Sequence, residues 1–170
     1  IIGVIILALI VALFVKKEYN IEREVVIEKP RQTVYDYVKY LKNQDQFSKW
    51  ANMDPAMKKA YRGKDGTIGF VSAWQSEDNS VGTGEQEIRK LQEGSRIDTE
   101  LRFMKPIRST SYSHMTTADY QGIHTKVKWN FNGKMNYPMN LMMLVMNMDE
   151  AIGNDLQAGL DNLKVILESK

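Results

Sequence analysis

A change of hydrophobic period partway along the chain limits its fold more than any other feature. Residues 57–62, 67–74, 83–91, 96–103, 109–119 and 124–131 alternate apolar and polar side chains, the two-residue period of strands. They are separated by short turns, including Gly63-Lys64-Asp65-Gly66, Glu93-Gly94 and Gln121-Gly122. Asp-Gly is a strong hairpin signal, and connections this short join antiparallel neighbours. A further strand is expected over 19–28, where Ile21, Val25 and Ile27 alternate with Glu22, Glu24 and Glu28.

Two stretches keep a helical period instead. Pro30 opens the first, where its missing N–H costs nothing, and Val34, Tyr37, Val38 and Leu41 form one apolar stripe. Phe47, Trp50 and Ala51 predict a second short helix after Asn43. The other stretch, 138–167, carries Val145, Met148, Ile152, Leu156, Leu160, Leu163 and Leu167 on one face. A sheet with one polar face needs an apolar cover on the other, and only 138–167 is long enough to supply it. The expected class is α+β. As one straight helix that stretch would run about 45 Å, far beyond a typical strand, so a bend near Gly153-Asn154 or an overhanging first half is expected.

The order strand, two helices, six strands, long helix resembles the START and birch-pollen-allergen (SRPBCC) superfamily. Within it the chain resembles the bacterial polyketide cyclase/dehydrase and lipid-transport group. The resemblance is carried by Val25-Val26-Ile27-Glu28-Lys29-Pro30 followed by Val34-Tyr35-Asp36-Tyr37-Val38, by Phe47-Ser48-Lys49-Trp50, and by Gly159-Leu160-Asp161-Asn162-Leu163-Lys164. It implies a helix-grip fold, a curved antiparallel sheet wrapped around a long C-terminal helix. That superfamily includes carriers, receptors, cyclases and chaperone activators. It shares no catalytic residue that could be carried onto this chain, and fold alone does not assign function.

Residues 1–15 are apolar throughout. As a helix they span about 22 Å, against ~30 Å of bilayer core. The run ends Ala-Leu-Phe-Val-Lys-Lys without the small residues of a signal-peptide cleavage site, and an all-round apolar helix suits the core of a small domain poorly. Residues 1–17 are therefore read as a truncated transmembrane helix and 18–170 as a helix-grip ligand-binding domain. The expected location is a single-pass membrane anchor, with the bilayer as a partner and the side of the membrane open.

Lys and Arg total 23 against 21 Asp and Glu, a net charge of +2, so no basic stripe for nucleic acid is expected. The chain has no Cys and only two His, which removes disulfide, Cys-zinc and thiol chemistry. No metal-ligand spacing, phosphate loop or cofactor motif is present. No metal, cofactor or catalytic residue is assigned.

Strand alternation places Ile68, Phe70, Ser72 and Trp74 on one face, with Ile97, Thr99, Leu101 and Phe103 and with Val127, Trp129 and Phe131. The opposite face takes Asp98, Glu100, Arg102, Lys126, Lys128 and Asn130 as a solvated charged surface. Inward polar groups must find partners or orient a guest; Ser72, Gln86, Thr99, Tyr112 and His114 are the candidates. Met139, Met142, Met143, Met146 and Met148, half of the ten Met, leave one helical half apolar on several sides, facing either ligand or bilayer. Phe70, Ser72, Trp74, Gln86, Thr99, Leu101, Phe103, Tyr112, His114, Trp129, Met142, Met143, Met146 and Leu156 are the expected ligand-binding set. They would line an internal cavity for a lipid-like or polycyclic molecule. An enzyme using His114 or Tyr112 for proton transfer, and an interaction module using its surface, are the competing classes.

Overall fold

The computed structural model describes residues 2–169. Its elements run α1 (Ile2–Phe14), β1 (Glu18–Ile27), α2 (Arg31–Val38), α3 (Leu41–Phe47), β2 (Lys58–Arg62), β3 (Val71–Gln75), β4 (Thr83–Gln92), β5 (Arg96–Lys105), β6 (Ser109–Tyr120), β7 (His124–Lys134) and α4 (Met148–Glu168). Two 3₁₀ turns, Trp50–Asn52 and Met139–Leu144, follow α3 and β7. The strands form one antiparallel sheet in the order β1-β7-β6-β5-β4-β3-β2. Only β1 leaves sequence order: it returns to pair with β7, and β2 is left at the far edge.

Burial at every third or fourth position draws α4 onto the sheet. Leu156, Leu160, Leu163 and Leu167 are buried with Ile21, Ile27, Val127, Trp129 and Phe131. Each such side chain contributes roughly 1.5–3 kcal/mol. The approach is closest at Gly159, where a Cβ would sit 2.8 Å from the Trp129 ring. α4 lies mainly along β1, while α2 and α3 cover the sheet further toward β6.

Four expectations need correction. The long helix does not start at Pro138. It breaks at Val145–Asn147, where Asn147 is extended and its side chain accepts the Glu150 N–H, capping α4. The helix then runs unbroken through Gly153. Second, the alternation over 67–74 fails: Gly69 has φ 88° and Ile68 is 64% exposed, while Phe70 and Val71 are both buried. Third, β6 has the opposite register from that expected. Ser111, Ser113, Met115 and Thr117 point inward, and Tyr112 is 55% exposed.

The fourth concerns the membrane. α1 is a 13-residue helix about 20 Å long. Among the described residues no helix is long and apolar enough to cross a membrane, which overturns the expectation of a single-pass anchor. The helix stops because the chain is drawn straight into the sheet: Lys17 O accepts the Met135 N–H, and β1 begins at Glu18. Buried Asn140 donates to Ala12 O (2.7 Å) and Val15 O (3.0 Å), satisfying carbonyls at the helix end. Ala12 is buried there, whereas Ile2, Leu7, Leu13 and Phe14 are exposed.

Candidate functional site

Cross-strand partners share a face of the sheet, and β4 to β7 carry a polar line across the inner one. Gln86 Nε2 on β4 donates to Thr99 Oγ1 on β5 (3.1 Å) and more weakly to Gln44 Oε1 on α3 (3.4 Å). Thr99 Oγ1 donates to Ser113 O on β6 (3.3 Å). Trp129 Nε1 on β7 donates to Ser113 Oγ (3.1 Å), which donates in turn to Asn130 O (2.7 Å). Thr99 and Ser113 are each 5% exposed, so this connection is what makes their burial tolerable.

Beside the line lies a small void of about 10 Å³ bordered by Val38, Leu41, Gln44, Gln86, Ile97, Thr99, Ser113, Met115 and Trp129. That is room for about one water molecule. This void is far smaller than the roomy hollow expected between sheet and C-terminal helix. Under α4 its own leucines are buried together with Trp129, and the void sits beneath α2 and α3. A second, open concavity of about 610 Å³ lies outside, between α3 and the end of α4, lined by Gln46, Lys49, Asn52, Met53, Asn162, Val165 and Ile166.

Of the expected set, Gln86, Thr99 and Trp129 border the void. Ser72 pairs with Gln86, which pairs with Leu101; Trp74 packs edge-on against Phe103 at 5.8 Å. Ser72, Trp74, Leu101 and Phe103 share the inner face nearer its β3 end. Phe70 is buried in a separate small cluster with Leu41 and Ile88, and Leu156 is sealed in the core under α4. Tyr112 and His114 fall on the outer face, His114 paired across to Asp98 and Asn130. Burial, then the neighbouring Arg96 guanidinium, holds the His114 imidazole below its ordinary pKa. Met142, Met143 and Met146 do not border the void; Met142 lies in the 3₁₀ turn that meets α1, and Met142 and Met146 are exposed with Leu144 and Val145.

Sequence reasoning missed Ser113, Gln44, Val38, Leu41 and Met115 as residues around the void, and it placed Ile97 on the inner face without including it in the binding set. A serine between Tyr112 and His114 gives no hydropathy signal, so β6's own pattern does not mark it as inward. Ser113→Ala is expected to lower stability by about 1–3 kcal/mol by stranding the buried Trp129 N–H, measured by urea unfolding. Ser111→Ala, equally buried, is the control for loss of a hydroxyl alone.

A seven-stranded antiparallel sheet gripped by a C-terminal helix, with a polar line on its covered face, defines the helix-grip class. The sequence profile of the family described as polyketide cyclase / dehydrase and lipid transport matches residues 19–168. The chain belongs to that family. Solved structures agree on the fold. Protein CV1439 from Chromobacterium violaceum superposes with a TM-score of 0.62 at 14% identity, covering 88% of this chain and 96% of that one. Ara h 8.0201 gives 0.60 at 13% identity, covering 90% and 99%. The di-domain ARO/CYC StfQ from the steffimycin biosynthetic pathway gives 0.68 at 8% identity, covering 90% of this chain and 51% of that one. No curated protein matches the sequence.

Proposed function

We propose that the protein binds a hydrophobic small molecule on the inner face of its sheet, beneath α2 and α3, by contact and hydrogen bonding. One observation carries this reading: a hydrogen-bonded line of Gln86, Thr99 and Ser113 crosses an otherwise apolar wall beside the void. A wall that only had to pack would be served as well by aliphatic side chains, whereas a binding wall needs a few fixed polar groups to orient its guest. Membership of a family described by cyclase, dehydrase and lipid-transport activities supports the same reading. The enzyme alternative loses the residues it rested on, since Tyr112 and His114 lie on the outer face.

The test is titration with a neutral fluorescent polycycle such as N-phenylnaphthylamine. Thr99→Met, which fills the void, is expected to weaken probe binding about tenfold, a change of ~1.4 kcal/mol. Val165→Ser, in the outer groove, is expected to leave it unchanged. Loss of binding in Val165→Ser with retention in Thr99→Met would assign the probe to the groove and defeat the inner-face reading.

A further inference from the structure

We infer that α3 is a lid over a cryptic chamber, latched by the β2–β3 hairpin, and that the chamber selects a neutral apolar molecule with one amide-like edge. This rests on the binding reading above and says how a ligand enters and what part of it is recognised.

α3 is a 7-residue helix without a capping side chain of its own at Tyr40. So short a helix has no stability in isolation. Its first N–H groups are capped from outside instead. The Asp65 carboxylate, in the β2–β3 turn, accepts Leu41 N–H (2.9 Å) and Lys42 N–H (3.1 Å), and its own neighbour Gly66 N–H (2.8 Å). Further along, Asp45 accepts Tyr61 Oη–H (2.6 Å) and pairs with Lys59 Nζ (2.9 Å). The Lys42 ammonium lies 4.8 Å from the Tyr61 ring centre. Every one of these polar contacts reaches the hairpin that ends in β2, the edge strand.

α3 is also tied to α2, by Asn43 Nδ2–H to Tyr37 O (2.9 Å) and Tyr37 Oη–H to Gln46 Oε1 (2.9 Å), and to α4 by Asn162 Nδ2–H to Phe47 O (3.2 Å), but toward the sheet its polar hold is slight. The 3.4 Å Gln86–Gln44 contact is the one side-chain hydrogen bond from the polar line to α3 among the described residues. Leu41 and Phe47 supply the apolar part of the seal, Phe47 edge-on to Trp129 at 5.7 Å. Segments held in this way open at lower free energy than the whole fold. Lifting α3 joins the void to the space vacated by Leu41 and Gln44 and exposes Trp129.

The same displacement frees half of the Gln86 amide. One N–H stays committed to Thr99, while the other is released from Gln44, and Gln86 Oε1 accepts no hydrogen bond among the described residues. A donor and an acceptor side by side are met by the reciprocal pair on an amide or imide. Among the described residues no charged side chain borders the void, so a charged head group would be buried without compensation. A neutral ligand follows.

Two readouts on the full chain test this. Hydrogen exchange of the Leu41–Phe47 amides should be faster than that of β5–β7, and in Asp65→Ala faster again by about tenfold, the effect of losing charge-assisted bonds. Asp65→Asn, which keeps the shape of the cap, serves should the alanine variant fail to fold. Naphthalene carboxamide should bind about tenfold more tightly than the methyl ester of naphthalene carboxylic acid, and Gln86→Leu should erase the difference. Exchange of α3 in step with β5–β7 would overturn the lid. Equal binding of both naphthalenes would overturn the amide-edge selection. Early opening of α3 with no binding of either would refute the inner-face function itself while leaving the lid intact.

Discussion

Replacing Trp129 with alanine is expected to cost about 3–5 kcal/mol, the range for removing a large aromatic side chain from a packed core. The ring is 3% exposed and contacts Phe47 and Trp50 edge-on at 5.7 and 6.3 Å. It packs over Gly159, and its Nε1 holds the buried Ser113 hydroxyl. One substitution therefore removes the contact between sheet, α3 and α4 together with a partner in the polar line. For a chain of this size the loss corresponds to roughly 6–20 °C in Tm. Calorimetry alongside the N-phenylnaphthylamine titration would read both consequences. A loss below about 1 kcal/mol would show that the three layers do not meet at this ring.

The second large effect is expected at Gly82. This residue precedes β4 at φ 67°, a left-handed conformation, and a Cβ there would come 2.0 Å from the Lys105 carbonyl oxygen. Its own N–H and C=O are tied to Asp78 O and Ser76 N, so the backbone cannot turn aside freely. Gly82→Ala combines about 1–2 kcal/mol for the left-handed alanine with a further ~1–3 kcal/mol for displacing backbone. Urea denaturation should show the shift in midpoint. Gly122→Ala, also at positive φ but with nothing near its Cβ, should show only the smaller conformational part.

The element order was legible because each element's period repeats over enough residues to stand out. The inner faces of β5 and β7 were readable for the same reason: Ile97, Leu101, Val127, Trp129 and Phe131 are large and apolar against charged neighbours. β6 was not. Its inward residues include Ser111, Ser113 and Thr117, while Tyr112 lies outward, so its own pattern points the wrong way. Its register is imposed by pairing with β5 and β7 on both sides, and a shift of one residue exchanges the two faces completely. The latch on α3 was equally hidden, since Asp65 reads as a turn residue until the fold brings it to Leu41.

By itself the sequence determined a layered α+β chain, its covering helix, and family membership, because local hydrophobic period and turn chemistry act over neighbouring residues. Only the tertiary structure decided which face of β6 turns inward, that the chain passes from α1 directly into the sheet, and that the void beside the polar line lies under α2 and α3. Those outcomes depend on volumes and partners contributed by segments distant along the chain, and no local pattern carries that information.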